Sequence, residues 1–310
     1  MSNLLRHFLS LRDFTATEFS QILNLALQLK AAQKAGEAHP FLAGKTLGMI
    51  FQKPSNRTRL SFEVGMYQLG GHALNIRPNE ISMGDREPIE DVAEVFSRFV
   101  DMVMIRANLH QDIVTFAQHS SVPVINGLSD LSHPCQAMAD LLTIVEKKGE
   151  LAQLKVVYVG DGNNVCNSLI NACHLAGGQL VVSAPNGYEP DGAAVLPGYA
   201  VEEDPMVAAK NADVIYTDVW TSMGQEAETE KRKKIFAPYQ VNEKMMKMAK
   251  PDSIFMHCLP AHRGDEVSAE VMDSNQSVVF DQAENRMHAQ KAIMVGLVNG
   301  FGFSMKGNNK

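Results

Sequence analysis

Short, mainly apolar runs alternate with segments of helical periodicity along nearly the whole chain. The runs that predict buried strands are residues 47–51, 72–76, 102–105, 122–125, 155–159, 179–184, 213–219, 254–257 and 278–280. Helical segments separate most of these runs, so the strands are expected to pair in parallel through crossover connections. The pattern therefore predicts an α/β fold, with each parallel sheet covered by helices on both faces.

The length of the chain favours two such domains over one. A chain of 310 residues is long enough to form two hydrophobic cores. A long predicted helix begins at Pro134 and ends near Lys148, where Gly149 is suited to close it. We therefore expect one domain at residues 1–148 and a second at residues 149–284, joined by long helices.

The composition of the chain limits which partners it is expected to bind and in which cellular compartment it is expected to act. The formal net charge of −7 argues against general nucleic-acid binding, although it is compatible with a local basic pocket. The four cysteines form no C-x-x-C pair, which fits reduced thiols in a cytoplasm. The N-terminus does not resemble a signal peptide, and no stretch is long and apolar enough to span a bilayer. We expect a cytoplasmic protein that binds neither membranes nor nucleic acid.

The segment after the first predicted strand has the composition of an oxyanion site. Ser55 stands where a helix N-cap is expected, and Pro54 discourages an earlier helical start. The free N–H groups and the dipole at a helix N-terminus attract anions. Thr58, Arg57 and Arg59 add hydroxyl and guanidinium donors, so the segment predicts a phosphate site. The alternative is a capped helix with two surface arginines.

Other polar segments follow predicted strands in the first half. Arg106 ends one strand, and the loop at residues 126–133 follows the next. Ligands of parallel sheets lie beyond the carboxyl ends of the strands. We therefore expect Arg106, this loop and the Ser55 segment to lie at one edge of the first sheet.

The second half contains a glycine-rich turn at residues 160–165. The dinucleotide-binding fingerprint requires glycine where Val165 stands, and Asp161 would repel an anion, so a nicotinamide cofactor is not expected. The asparagines of this region can either bind a polar ligand or cap a helix, and they are Asn163, Asn164 and Asn167.

Two further strand ends in the second half carry chemically useful residues. Asp218 ends one predicted strand and precedes a long polar loop at residues 220–235, which is a candidate lid. His257, Cys258 and His262 lie at the end of the next strand or after it. Adjacent residues of a strand point to opposite faces of the sheet, so no metal site is expected there.

Several motifs occur in an order and at spacings that resemble one enzyme family. They are Ser55-Asn56-Arg57-Thr58-Arg59, Arg106, His133-Pro134-Cys135-Gln136, Asp218-Val-Trp-Thr-Ser222-Met223-Gly224, His257-Cys258-Leu259-Pro260 and Arg286. From about residue 5 to residue 303, the sequence resembles the aspartate/ornithine carbamoyltransferases. The family often has Thr or Met at the position of Asn56. The Ser-Met-Gly and His-Cys-Leu-Pro motifs are the most specific, and they point to ornithine as the acceptor.

The resemblance implies how the chain is organised. Residues 1–148, completed by a C-terminal helix at 285–303, would form a carbamoyl-phosphate domain, and residues 149–284 an ornithine domain. The family implies a homotrimer or an assembly of trimers, with sites near the subunit interfaces and without a cofactor or a metal. The loop near Ser82 would reach the phosphate of a neighbouring subunit, and the peptide between Leu259 and Pro260 would be cis.

The implied reaction transfers the carbamoyl group from carbamoyl phosphate to the δ-amine of L-ornithine, giving L-citrulline and phosphate. The expected phosphate ligands are Ser55, Asn56, Arg57, Thr58 and Arg106. Arg106 and His133 should also polarise the carbonyl oxygen, as in an oxyanion hole. The carbamoyl end should be held by Gln136, Arg286 and the main-chain carbonyls of Cys258 and Leu259.

The ornithine ligands follow from the charges of its two α-groups. The α-carboxylate needs donors, which Asn167 and the backbone of Met223 should supply, and the α-ammonium needs acceptors, which Asp218 and Ser222 should supply. The δ-amine must lose a proton before it attacks, and Cys258, linked to Asp218, is the candidate acceptor. The expected catalytic residues are therefore Arg106, His133, Cys258 and Asp218.

Two kinds of alternative stay open. A transcarbamylase could use putrescine, aspartate or N-acetylornithine, although putrescine would not need the Ser-Met-Gly loop and aspartate would not suit Asp218. From another class, a non-catalytic nucleotide-binding protein could use the turn at residues 160–165. The sequence does not distinguish a role in arginine synthesis from one in arginine breakdown.

Overall fold

A computed structural model describes residues 5–81, 83–84, 86–221 and 228–305 of the chain. The chain divides into two compact units. Unit 1 comprises Met1–Ala139 and Glu284–Lys310, and unit 2 comprises Asp140–Ala283. The first division falls inside a helix, so the boundary expected after residue 148 stays a prediction.

The described strands of unit 1 form one parallel sheet. They are β1 (Thr46–Phe51), β2 (His72–Ile76), β3 (Met102–Arg106) and β4 (Val124–Leu128). Their order across the sheet is β2-β1-β3-β4. Phe51 pairs in register with Arg106, and Arg106 pairs with Leu128 after a register shift. The carboxyl ends of β1, β3 and β4 therefore lie side by side, as the sequence predicts.

Helices precede, separate or follow these strands. They are α1 (Ala16–Lys34), α2 (Asn56–Gln68), α3 (Pro78–Ile81), α4 (Ile89–Phe99), α5 (His110–His119) and α6 (Pro134–Lys148). A core cluster joins Ile50 and Ile105 of the sheet to Val92 and Phe116 of the helices. Helical periodicity also predicts that Val95 and Phe99 turn inward, which is wrong, because they are 44% and 77% exposed.

Unit 2 contains a five-stranded parallel sheet within its described residues. Its strands are β5 (Lys155–Val159), β6 (Gln179–Ser183), β7 (Tyr199–Val201), β8 (Val214–Thr217) and β9 (Ile254–His257), in the order β7-β6-β5-β8-β9. The sequence does not predict β7, because this strand is short and has no buried residue to produce an apolar run. Thr217 pairs with both Val159 and His257, which aligns the carboxyl ends of β5, β8 and β9.

The helices assigned to unit 2 alone are mostly short. They are α7 (Asn164–Leu175), α8 (Pro205–Ala209), α9 (Thr229–Phe236), α10 (Glu243–Met246) and α11 (Ala269–Met272). Helix α9 occupies the second part of the candidate lid, so the expectation of a loop at 220–235 is wrong from residue 229 onward. Residues 222–227 lie outside the described part of the chain.

The last helix, α12 (Val279–Asn299), corrects two expectations. The strand predicted at 278–280 is absent from this described segment, where Ser277 makes only an isolated bridge to Phe255. The N–H of Gln282 instead donates to the carbonyl of Val278 at 2.9 Å, which is a helical turn. Phe280 is 73% exposed and therefore does not supply the burial that its apolar run suggests. The helix thus begins before residue 285 and ends before residue 303.

The part of α12 that belongs to unit 1 is bound to the first two helices by buried polar side chains. The Nζ of Lys30 on α1 donates to Oδ1 of Asn285 at 2.7 Å. The Nζ of Lys291 donates to Oε1 of Gln33 on α1 at 2.9 Å and to Oε1 of Gln68 on α2 at 2.8 Å. These bonds set the position of α12 against α2, and with it the position of Arg286. None of the helices in the described ranges is long and apolar enough to cross a lipid bilayer.

Candidate active site

The N-terminus of α2 has the geometry expected of an oxyanion site. Ser55 is its N-cap, with an extended backbone (φ −156°, ψ 112°), and its Oγ accepts a hydrogen bond from the N–H of Thr58 at 3.4 Å. The Thr58 side chain is buried. The exposed side chains of this first turn are Asn56 and Arg57. The Nη1 of Arg59 lies 2.8 Å from Oε2 of Glu63, with which it forms an ion pair. The expectation that both arginines serve the anion stays a prediction for Arg59.

The end of β3 is tied to the end of β1 by Gln52. The N–H of Gln52 donates to the carbonyl of Arg106 at 2.9 Å, and its Oε1 accepts from the N–H of Asn108 at 2.6 Å. The Arg106 side chain is buried. Gln52 thus holds the backbone on both sides of Ala107, directly after Arg106. The sequence offers no signal for this contribution, since a single glutamine after a strand is not diagnostic.

Arg286 joins two segments of unit 1 that are far apart in the sequence. Its Nη1 donates to Oε1 of Gln136 at 2.7 Å, and its Nη2 donates to Oγ1 of Thr58 at 3.2 Å. All three side chains are buried. The planar guanidinium suits such a fork, because its donors leave in fixed directions. The structure therefore brings together Thr58, Gln136 and Arg286, which the sequence nominates separately.

His133 lies close to two arginines in unit 1. The pKa of His133 lies well below its usual value. Burial is the main cause, and the positive charges of Arg286 and Arg106 lower the pKa further. The imidazole is therefore neutral near pH 7 and can donate one hydrogen bond without acting as an acid. A neutral donor beside two fixed cations suits a carbonyl oxygen that gains negative charge during a reaction.

Asp218 at the end of β8 is held through both of its carboxylate oxygens. The Sγ of Cys258 donates to Oδ1 at 2.9 Å, and Nδ2 of Asn163 donates to Oδ2 at 2.8 Å. The Oδ1 of Asn163 also caps α7 by accepting from the N–H of Val165 at 2.9 Å. Asn163 therefore both caps α7 and orients Asp218. The sequence alone does not decide between these two interpretations.

The turn after β9 contains an unusual backbone. The peptide between Leu259 and Pro260 is cis, as the family resemblance implies, and Leu259 has a positive φ of 61°. Asp218, His257 and Cys258 each place a possible metal-ligand atom within 4.8 Å of the others. However, Nδ1 of His257 accepts from the N–H of Leu259 at 2.9 Å, and its Nε2 lies 3.1 Å from Glu266 Oε1. Both ring nitrogens are therefore engaged, and these three residues do not fit a metal as they stand.

The glycine-rich turn after β5 is shaped by packing of the chain rather than for a phosphate. A Cβ at Gly162 would lie 2.3 Å from the nitrogen of Pro190, so only glycine fits beside that backbone. Asp161 is paired with Nη1 of Arg232 at 3.0 Å, and the same Nη1 donates to the carbonyl of Trp220 at 2.8 Å. Burial raises the pKa of Asp161 to about 6, although the Arg232 charge opposes this shift. The turn therefore offers little to a nucleotide.

Of the remaining residues expected at the site, three lie in the described part of the chain and three lie outside it. Asn167 is buried in the first turn of α7, and its N–H donates to the carbonyl of Asn163 at 2.9 Å. Leu259 and Cys258 are partly buried. Ser82, Ser222 and Met223 lie outside the described residues, so their expected contacts stay predictions.

Comparisons with known proteins match both units. The carbamoyl-phosphate-binding domain of the aspartate/ornithine carbamoyltransferases matches residues 6–146, and the aspartate/ornithine-binding domain of that family matches residues 152–297. The ornithine carbamoyltransferase of Thermococcus kodakarensis is 56% identical over 305 residues, covering 95% of this chain and 97% of the relative. The anabolic ornithine carbamoyltransferase of Pyrococcus furiosus is 55% identical over 308 residues, covering 96% of this chain and 98% of the relative.

A solved structure agrees with these matches. The ornithine carbamoyltransferase structure from Pyrococcus furiosus superposes with a TM-score of 0.93 at 54% identity, covering 98% of this chain and 100% of that chain. The similarity in sequence and in fold between this chain and these proteins therefore extends over both domains and almost the full length of each protein.

Proposed function

Because this chain belongs to the aspartate/ornithine carbamoyltransferase family, we propose that the buried polar residues of its two units divide the two substrates between them. The reaction is transfer of the carbamoyl group from carbamoyl phosphate to the δ-amine of L-ornithine, which gives L-citrulline and phosphate. The neutral δ-nitrogen forms a bond to the carbonyl carbon, the bond from that carbon to the phosphate oxygen breaks, and the amine gives up a proton. Each step places a charge that the chain has to stabilise.

The phosphate is assigned to the first turn of α2 and to Arg106. The observation that carries this proposal is the fork of Arg286 between Thr58 and Gln136, because it places a fixed cation at the capped start of α2. The backbone N–H groups and the side chains there would bind the phosphate oxygens. The proposed ligands are Ser55, Asn56, Arg57, Thr58 and Arg106, with Ser82 from a neighbouring subunit.

The carbonyl oxygen is assigned to Arg106 and His133. The tetrahedral intermediate carries its negative charge on this oxygen, and a neutral His133 can donate a hydrogen bond to it through its one ring N–H. Removing one donor of this kind typically costs about 3 kcal/mol of barrier. Gln136, Arg286 and the main-chain carbonyls of Cys258 and Leu259 are assigned to the carbamoyl end, whose NH₂ group would donate to the two carbonyls.

The ornithine is assigned to unit 2. Asp218, oriented by Asn163, would accept from the α-ammonium, together with Ser222. Asn167 and the backbone of Met223 would donate to the α-carboxylate. Cys258 and Asp218 form a hydrogen-bonded pair that can hold one further proton, which makes the pair the proposed acceptor of the δ-amine proton.

Self-association and compartment are proposed on separate grounds. Helix α2 exposes apolar side chains on one face, at positions separated by four and three residues, which are Leu60, Val64 and Tyr67. Large exposed apolar patches commonly mark sites of contact between proteins. We assign this row to contacts between copies of this chain in a homotrimer or an assembly of trimers. None of the four cysteines, all of which lie in the described ranges, forms a disulfide, and this favours a reducing cytoplasm.

The decisive experiment offers ornithine, putrescine, aspartate and N-acetylornithine in parallel to the purified protein with carbamoyl phosphate. We expect a carbamoylated product from ornithine, and the free α-ammonium is the feature that Asp218 should select. Turnover of N-acetylornithine or putrescine in preference to ornithine would refute the roles of Asp218 and Asn167 while leaving those of unit 1 intact. Binding of NAD or ATP without any transfer would instead favour the nucleotide-binding alternative.

A further inference from the structure

Leu259 adopts a backbone conformation that its residue type disfavours. Its φ is 61°, in the left-handed region, where a residue with a Cβ costs roughly 1–2 kcal/mol relative to the right-handed conformation. The neighbouring structure must therefore hold it there. Its side chain packs against the core of unit 2, but packing alone does not determine where the main-chain carbonyls of Cys258 and Leu259 point.

A histidine two residues earlier supplies the missing constraint. The N–H of Leu259 donates to Nδ1 of His257 at 2.9 Å. His257 is fully buried at the end of β9, and its own N–H donates to Oε1 of Gln282 at 3.0 Å. The imidazole is thus fixed at its backbone and reaches forward to fix the turn that follows.

The hydrogen bonds of the ring also select its tautomer. Because Nδ1 accepts from an N–H group, it cannot carry a proton. The proton must then lie on Nε2, which faces Oε1 of the buried Glu266 at 3.1 Å. The same Oε1 accepts from the N–H of His262 at 2.5 Å. Glu266 therefore selects the single tautomer that leaves Nδ1 available to Leu259.

We propose that His257 is a positioning residue, which holds Leu259 in the left-handed conformation through Nδ1 and so aims the carbonyls of Cys258 and Leu259 at the carbamoyl NH₂ group. Glu266 acts through His257 by holding its tautomer. This inference rests on the proposed assignment of those two carbonyls to the carbamoyl end. The new element is the buried pair of His257 and Glu266, which would orient these two carbonyls.

Two substitutions of His257 separate its two hydrogen bonds. His257→Asn places an acceptor where Nδ1 lies and loses the contact to Glu266. His257→Gln can reach Glu266 but has no acceptor near the N–H of Leu259. Both remove a buried ring, so both should lower the melting temperature by a similar amount. They should differ in kinetics, because misplacing a reacting group by about 1 Å costs roughly 100-fold in rate.

We expect His257→Gln to lose about 100-fold in kcat/KM for carbamoyl phosphate and His257→Asn to recover most of that loss. Inorganic phosphate lacks the carbamoyl group, so its inhibition constant should be the same in both variants and in the parent protein. Equal kinetic losses in the two variants, or parallel weakening of phosphate, would overturn the proposal in favour of a purely structural role.

A crystal structure of His257→Gln distinguishes failure of this inference from failure of the assignment on which it rests. A left-handed Leu259 in that variant would refute the positioning role. A displaced Leu259 with unchanged carbamoyl-phosphate kinetics would refute the contact between these carbonyls and the carbamoyl group. Tyr239→Phe is the matched control, because it loses a hydrogen bond of 2.9 Å to the Glu203 carbonyl elsewhere in unit 2. It should lower the melting temperature without altering these constants.

Discussion

The Arg286 guanidinium donates to Oε1 of Gln136 at 2.7 Å, although the two residues are 150 positions apart in the chain. The second arm of the same guanidinium reaches Thr58 at 3.2 Å. One side chain of α12 therefore holds the start of α2 and the start of α6 in a single arrangement. The proposed phosphate and carbamoyl contacts of unit 1 depend on that arrangement.

Replacing Arg286 with Lys should lower kcat/KM for carbamoyl phosphate by about 100-fold. Lysine keeps the charge but cannot reproduce the two fixed directions of the guanidinium. One of Gln136 and Thr58 would then lose a charge-assisted hydrogen bond, worth about 1.5–3 kcal/mol. Steady-state kinetics would measure the loss. Arg98→Lys is the control, since Arg98 is an exposed arginine of α4 paired with Glu94, and a comparable loss there would contradict the assignment.

His133→Gln should retain more activity than His133→Ala, because glutamine supplies a neutral N–H donor. The alanine variant should lose about 3 kcal/mol of transition-state stabilisation, or roughly 100-fold in kcat. The pKa of His133 is lowered by burial and by two arginines, so the histidine does not titrate near neutral pH. The acidic limb of the pH–rate profile should therefore stay in place in both variants. A shift of that limb would show that His133 acts as an acid or a base.

Asn163→Asp should raise the KM for ornithine about tenfold and leave the KM for carbamoyl phosphate unchanged. Aspartate keeps an oxygen that can cap α7 but removes the Nδ2 donor to Asp218 and adds a like charge beside it. Asn163→Ala loses the cap as well, which should cost about 1 kcal/mol of stability. Equal effects on both substrates would mean that Asn163 acts only through the stability of α7.

The raised pKa of Asp161 should make the stability of the protein depend on pH. Burial raises its pKa to about 6 in the folded chain, above its ordinary value of 3.8, so the folded state binds more protons between these two values. The contribution of Asp161 to the free energy of unfolding should therefore be greatest below about pH 4 and be lost as the pH rises to about 6. Denaturant titrations of the parent protein and of Asp161→Asn would isolate this contribution. Identical pH slopes in the two proteins would refute it.

Tyr67→Glu should dissociate the assembly that we propose for the exposed row on α2. Tyr67 is 79% exposed in this chain, and a charge buried at an interface is strongly unfavourable without a partner. Light scattering should show a smaller particle at equal protein concentration. The control is Phe280→Glu, a similarly exposed aromatic residue on α12. An unchanged mass for Tyr67→Glu would place the interface elsewhere.

Much of the fold follows from local rules that the sequence states directly. The alternation of apolar and helical segments predicts two parallel sheets, and the Ser55 segment predicts a capped helix with an oxyanion site. Asp218 and Arg106 lie at or just after the strand ends where they are expected. These features depend on side chains a few residues apart, so periodicity and capping preferences are enough to predict them.

Other features depend on packing between distant segments. The run 278–280 is as apolar as a strand, yet the chain turns helical at Val279 and continues as α12, whose Lys291 is bonded to α1 and α2. The hydrogen bonds of Arg286 to Gln136 and of Asn163 to Asp218 likewise join distant residues, and nothing in the sequence predicts that these residues meet. The sequence by itself determined the fold class and the family, and it nominated the site residues whose roles we propose. The tertiary structure alone decided which of them meet, because a hydrogen bond between distant segments depends on how helices and sheets pack.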